Sequence, residues 1–417
     1  QLAAAALPAN ASVLSRVCLC ALGGYGRAEL SPYSDLDICV VYETDLDDSL
    51  LEFNRYLVHF LWDVGFKVGH SLRTVGEARE LAERDIKAFT SLLESRLICG
   101  NPEIFAQLKL RVRELQQGEF AARFLQQKIR ERFEELPQEY SDLFAPEPNV
   151  KENAGGLRDF HTAIWLCMMM FNAENLDDLV TQGHISPEEQ LEFVQAIDFV
   201  WRIRNELHFR LDKAEDTLFH ANQQIIAKSL GYNSSEQSST LLVMQDYYAA
   251  AVQIRKFLSI ITRICDRPVS PALLVKQSDE SEPRYGIFVE NGLLFAGIHD
   301  KNWFAHSPTR LIEVFWECAR RNVQLSRATE RMIAENLHFV NDTFQTNELV
   351  KRFFLGICNR PLQAGATLRQ ATSVGFLGRY IPEFEAVRGV LRYEDFHHYP
   401  VDEHTLQALE AIGKIPF

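Results

Sequence analysis

The chain has 417 residues, 47% of them hydrophobic, and a formal net charge of −14 from 43 Lys and Arg against 57 Asp and Glu. That is enough chain for two or three domains with sizeable cores, which excludes a peptide, a coil or a disordered tail. The acidic surplus repels polyanions, which argues against broad nucleic-acid or anionic-membrane binding and leaves room only for a local basic pocket. The longest unbroken apolar run, Ala163 to Phe171, falls far short of the roughly 20 residues that span a bilayer, and reads as a buried helix face of a soluble protein. Eight Cys lie scattered from Cys18 to Cys358 without zinc-type spacing, as expected of reduced core residues in the cytoplasm. The chain opens on Gln1 with no leader pattern, so the expectation is a piece of something longer.

In chain order, Val17 to Leu22 and Leu36 to Tyr42 are short apolar runs that predict buried strands, separated by Gly23-Gly24. Leu50, Phe53, Leu57, Phe60, Leu61 and Val64 follow a helical rhythm, and a third strand is expected at Phe66 to Leu72. From Glu77 to Thr262 the pattern is almost entirely helical, with breaks at Phe144 to Asn149, near Gly183 and at Asn233 to Ser239. Arg267 to Arg284 reads as a linker. Asn291-Gly292 between two apolar runs then predicts a β-hairpin over Gly286 to Ala296, and helix resumes from Pro308 to about Gly378. The fold class is α+β, a small mixed sheet followed by a mostly helical region that carries a hairpin.

One stretch carries chemistry, Gly23-Gly24-Tyr25-Gly26-Arg27-Ala28-Glu29-Leu30-Ser31-Pro32-Tyr33-Ser34-Asp35-Leu36-Asp37. Side chains alternate along a strand, so Asp35 and Asp37 share a face while Leu36, Ile38 and Val40 turn to the core. Two adjacent carboxylates repel unless a cation lies between them. Oxygen ligands favour Mg²⁺, which is typically held by one or two carboxylates together with substrate phosphates. Gly23 and Gly24 let backbone N–H groups approach an anion, and Arg27 adds a fixed positive charge beside them. A plain glycine turn followed by two solvated Asp is the bland alternative. The combination, with Ser34 before the acidic pair, favours nucleotide chemistry.

These residues, Gly-Gly-x-Gly-Arg-x-Glu-Leu and then Ser-Asp-x-Asp, resemble the signature of the polymerase-β-like nucleotidyltransferase superfamily. Lys151 to Asp159, Arg204 to His208, Glu215 to Leu218, Leu377 to Phe384 and Tyr399 to Thr405 further resemble the family of bacterial bifunctional PII uridylyltransferase/uridylyl-removing enzymes. The resemblance implies metal-dependent transfer of UMP from UTP to a Tyr hydroxyl of the PII signal-transduction protein. It implies that Asp35 and Asp37 hold Mg²⁺, that Gly23 and Gly24 cradle the triphosphate and that Ser34 hydrogen-bonds a phosphate oxygen. The implied organisation is a nucleotidyltransferase domain over 1–110, a helical domain completing the cleft over 111–266, a linker, hairpin and helical region over 267–395, and the truncated start of an HD-type hydrolase domain over 396–417.

The superfamily's third carboxylate has no counterpart on the third strand, so His70, Glu94 or Asp85 stands as a candidate base, with a hydrogen-bonded edge histidine as the alternative for His70. Lys151, Gly155, Gly156 and Arg158 gather cations and glycines at a helix start, an expected anion site that closes over the nucleotide. A tight interhelical turn is the competing view. Arg204 and His208 share a helix face and reach either the cleft or a structural role. His299-Asp300 reads as a decoy, because the family's metal-binding His corresponds to His404, and His397 and His398 belong to a lead-in segment. Two rivals stay open: a transferase of the same fold with another nucleotide or acceptor, and a degenerate nucleotide- or partner-binding module.

Overall fold

The computed structural model describes residues 11–43, 46–233, 236–266, 286–297, 300–390 and 399–415. The expected linker at Arg267 to Arg284, and His299, His397 and His398, lie outside the described residues. Two compact units emerge, one formed by 1–143, 147–243 and 250–266, the other by 144–146, 244–249 and 267–417.

The first unit is built on a four-stranded sheet in the order β3-β2-β1-β4. The strands are β1 (Val17–Ala21), β2 (Leu36–Tyr42), β3 (Val68–Thr74) and β4 (Arg96–Gly100). β1 runs antiparallel to both β2 and β4, while β2 and β3 are parallel, which makes the sheet mixed. Both faces are covered, as the unbroken apolar runs require. Val17, Leu19, Ile38, Val40 and Tyr42 pack with Leu50, Phe53 and Leu57 of α1 (Asp48–Asp63). Cys18, Cys20, Cys39 and Val41 pack on the opposite side, against α2 (Val75–Arg84), α3 (Ile86–Leu93), α4 (Pro102–Glu114) and α5 (Gly118–Phe133). All eight cysteines are free thiols.

Two sequence expectations shift. β3 begins at Val68 instead of Phe66, because α1 closes on a left-handed Gly65 (φ +96°) and the Phe66 N–H returns to the Leu61 carbonyl. β4 interrupts what reads as continuous helix. Its pairing of Cys18 with Gly100 and Ala21 with Arg96 is a tertiary gain that the local pattern does not display.

Beyond the sheet the unit is helical, with α6 (Leu157–Phe171), α7 (Pro187–Leu211) and α8 (Glu236–Asp266) as its main elements. Most of the apolar run in α6 is buried, as expected from sequence. At the start of α6 the fully buried Asp159 accepts from Arg132 Nε at 2.6 Å, Arg255 Nη1 at 2.9 Å and the Gly155 N–H at 2.8 Å. A buried carboxylate with this many charged donors locks α5, α6 and α8 together. No described helix is long and apolar enough to cross a membrane.

In the second unit, β5 (Ile287–Glu290) and β6 (Leu293–Ala296) form the expected hairpin, with Asn291 and Gly292 both at positive φ, and β7 (Gln324–Leu325) adds to β6 in parallel. Its core gathers Phe304, Phe315, Leu325, Ile333, Val350, Ile357, Leu368 and Phe376.

Truncating Asp159 strands one buried and one half-buried guanidinium group. Asp159→Ala is therefore expected to lower the unfolding free energy by about 3–5 kcal/mol in urea denaturation; a loss below about 1 kcal/mol contradicts the lock.

Candidate active site

The site lies where β1 ends and β2 and β3 begin. Asp35 immediately precedes β2 and Asp37 is its second residue; both are exposed. Gly23 opens a single helical turn, Gly23–Gly26, and has φ +52°. The Leu22 N–H donates to the Asp37 carbonyl at 2.8 Å, tying that turn to β2. A Cβ on Gly23 would lie 3.3 Å from Asp37 Oδ2, and Gly69, the β3 residue paired in register with Asp37, has no room for a Cβ against Asp37 Oδ1. The carboxylate therefore sits in a slot between two glycines. Partial desolvation there and the neighbouring charge of Asp35 both raise the Asp37 carboxyl above its ordinary range.

The N–H groups of Gly23, Gly24 and Tyr25 have no acceptor among the described residues, whereas those of Gly26 and Arg27 bond to the Leu22 and Gly23 carbonyls at 2.9 and 3.0 Å. Arg96, which the sequence reading missed, holds the turn from below: its Nη2 donates to the Tyr25 carbonyl at 2.8 Å and its Nε to the Gly26 carbonyl at 3.2 Å. Nothing local marks Arg96 for this role, since it lies in the strand that reads as helix. Gly26 is forced by crowding, because a Cβ would strike the Glu94 carbonyl.

Arg27 does not stand free beside the glycines. Its Nε donates to Glu29 at 2.7 Å and its Nη1 to Glu94 at 2.6 Å. Glu94 also accepts from Trp165 Nε1, and Glu29 faces His161 Nε2 at 2.9 Å. This half-buried chain of polar groups fastens the glycine turn to α6. Glu94 is consumed by it and is not an available base. Burial lowers the His161 pKa to about 4, helped by the Arg27 charge and opposed by Glu29, so near neutral pH the ring is uncharged.

The other candidate bases are also displaced. His70 pairs in register with Ile38, on the sheet face opposite Asp37, and Asp85 caps α3 by accepting from the Lys87 N–H. The Asp37 face of β3 presents Gly69, Ser71 and Arg73, with no carboxylate.

The segment from Lys151 to Arg158 is not an open helix start. The N–H groups of Leu157, Arg158 and Asp159 bond to the carbonyls of Val150, Lys151 and Gly156 at 3.0, 2.8 and 3.0 Å. Gly156 is needed because three carbonyl oxygens crowd the position a Cβ would take, at 2.8–2.9 Å. Arg158 pairs with Glu152 at 3.0 Å, and Lys151 Nζ lies 3.8 Å from Asp216. Arg204 and His208 also converge on Asp216, at 2.6 and 3.1 Å. Ser34 is half-buried, with its N–H on the Ser31 carbonyl at 3.2 Å.

Among the described residues no group of three or more His, Cys, Asp or Glu is placed to hold a metal ion. The Asp35–Asp37 pair nevertheless fits a hard divalent cation that completes its shell with phosphate oxygens and water.

Residues 123–262 match the GlnD PII-uridylyltransferase family, and residues 288–380 match the third domain of uridylyltransferase GlnD. The chain belongs to the GlnD uridylyltransferase family. It is 32% identical over 397 residues to the bifunctional uridylyltransferase/uridylyl-removing enzyme of Nitrosococcus oceani, covering 94% of this chain and 44% of that protein. The enzyme of the same name from Pseudomonas putida is 31% identical over 408 residues, 97% of this chain and 45% of the relative. The chain thus spans just under half the length of these members of the family.

Two measurements check the site. Gly69→Ala forces only the tip of Asp37 to move, so the melting temperature is expected to stay near wild type while Mn²⁺ binding weakens about tenfold; unchanged binding contradicts the slot. Because His161 is neutral when folded, the unfolded chain takes up its proton first as pH falls. Stability is expected to drop by about 2–3 kcal/mol between pH ~6.5 and ~4. Urea titrations at several pH values should show this drop shrinking in His161→Gln, and an identical drop in both proteins contradicts the assignment.

Proposed function

We propose that the chain transfers UMP from UTP to a tyrosine hydroxyl of the PII nitrogen-regulatory protein, in the cytoplasm where UTP is available. Residues 1–110 form the nucleotidyltransferase domain of this reading and 111–266 the helical domain that completes its cleft. The observation that carries it is the acidic pair set against a glycine turn with three unengaged N–H groups. Asp35 and Asp37 would hold Mg²⁺, and Gly23 and Gly24 offer N–H donors to the triphosphate, with Ser34 at the edge. Arg27, Lys151 and Arg158 are engaged with carboxylates and Gly156 with carbonyls, so they support the site from behind.

The reaction is an in-line displacement. The tyrosine oxygen attacks the α-phosphorus, its bond to phosphorus forms as the α–β phosphoanhydride bond breaks, pyrophosphate departs and the phenolic proton is lost. The metal, when bound, neutralises charge developing on the phosphoryl oxygens. The glycine turn orients the triphosphate, and the slot around Asp37 fixes the carboxylate that faces it. With a phenol pKa near 10 and no carboxylate on the Asp37 face of β3, proton removal falls to Asp35, Asp37 or water.

That bare strand also favours the second reading, a nucleotide- or partner-binding module without turnover. Incubation with labelled UTP, Mg²⁺ and PII separates the two. Label is expected on a PII tyrosine, and Asp37→Asn should reduce its rate at least about a hundredfold without lowering the melting temperature. Nucleotide binding without label transfer would favour the module, and transfer from ATP in place of UTP would favour a transferase of different selectivity.

A further inference from the structure

The loop that delivers Asp35 is strained and is held from outside. Ala28 (φ +62°) and Tyr33 (φ +61°) are left-handed, and the other non-glycine residues at positive φ among the described residues are all Asn or Asp, for which that conformation is easier. Such a loop keeps its shape only where the surroundings over-determine it. Three grips from the helices do so. His161 of α6 holds Glu29 at 2.9 Å. Asp212, just past the end of α7, accepts from the Tyr33 hydroxyl at 2.9 Å. His208 of α7, fully buried, contacts the Pro32 carbonyl through Nδ1 and Asp216 Oδ1 through Nε2.

The third grip has its own foundation. Asp216 also receives Arg204 Nε at 2.6 Å and lies 3.8 Å from Lys151 Nζ, and its backbone carbonyl accepts from the Val150 N–H at 2.8 Å. Both ring nitrogens of His208 face acceptors, so the ring bridges the Pro32 carbonyl to a carboxylate whose orientation Arg204 fixes. Pro32 lies only three positions before Asp35, and Leu36 already belongs to β2. The Lys151, Arg204–His208 and Glu215–Leu218 blocks therefore converge on the loop that carries the acidic residue, without themselves reaching the acidic pair.

We infer that His208, Asp216 and Arg204 are positioning residues that brace the Ala28–Ser34 loop and thereby set Asp35 beside Asp37. This rests on the reading of Asp35 and Asp37 as the divalent-cation site. The brace acts on metal geometry through the Pro32 carbonyl, so its loss affects cation affinity and turnover ahead of the global fold.

The test measures Mn²⁺ affinity by titration calorimetry on the full chain, with kcat, the KM for UTP and the melting temperature recorded alongside. Asp216→Asn preserves shape but removes the charge that holds His208 and Arg204. It is expected to weaken Mn²⁺ binding about tenfold and to lower kcat about tenfold to a hundredfold, with KM changed less than kcat. His208→Gln should behave alike, and the double variant should be little worse than the worse single one, because both act through one contact. If His208→Gln does not fold, Asp216→Asn decides alone. Mn²⁺ affinity and kcat within about twofold of wild type, or a loss that merely follows the melting temperature, would overturn the brace. Asp35→Asn and Asp37→Asn are the controls. If wild type binds Mn²⁺ no better than these two, the metal reading itself fails and the brace falls with it. If they abolish binding while Asp216→Asn leaves it intact, the brace alone fails.

Discussion

Everything at the candidate active site depends on the space around one carboxylate. Asp37 lies at the start of a central strand, with a glycine turn on one side and Gly69 of the neighbouring strand on the other. The absence of two Cβ atoms gives the carboxylate room, and the sheet gives it rigidity. Placed next to Asp35, it becomes an electrostatic conflict that desolvation sharpens and that a divalent cation would relieve. Stability alone gives no reason to retain such a pair at a strand end.

Behind that point, buried and half-buried polar groups hold two short segments still. Arg27, Glu29, Glu94, His161 and Trp165 connect the glycine turn to α6, and Arg96 stitches the turn's carbonyls to β4. The Arg132–Asp159–Arg255 cluster then fixes α6 itself. A buried polar network is costly when half satisfied and rigid when complete, and rigidity is what a site made of backbone N–H groups and two carboxylates requires. The helices after the sheet thus act as the frame of the site.

Much of this is legible in the sequence, and the parts that are not depend on how the folded chain brings groups together. β2 and the Asn291–Gly292 hairpin announce themselves locally, one by an unbroken apolar run and the other by turn chemistry. The acidic pair is legible because strand periodicity brings Asp35 and Asp37 together. By contrast, Arg27 reads as a free cation because the sequence does not show that the turn folds Glu29 back onto it, and its second partner, Glu94, is 67 positions away and only appears once β1 and α3 have packed. Lys151 to Arg158 reads as an open helix start because nothing local shows that the loop's own carbonyls fold back onto its N–H groups. His70 reads as a candidate base because its register against Ile38, which turns it away from Asp37, is a tertiary fact. Patterns set by strand periodicity and turn chemistry are readable, whereas the choice of charge partner and the closure of a loop on itself depend on the folded path of the chain, even where the partners lie close in sequence.

The acidic pair and the glycine turn mark where the chemistry is proposed to occur, and one observation tests that most directly. Crystals of the chain soaked with Mn²⁺ and a non-hydrolysable UTP analogue would locate the cation by anomalous scattering. The expected result is a peak coordinated by both Asp35 and Asp37, with the triphosphate over the N–H groups of Gly23 and Gly24. A nucleotide bound elsewhere, or a cation that ignores the acidic pair, would contradict it.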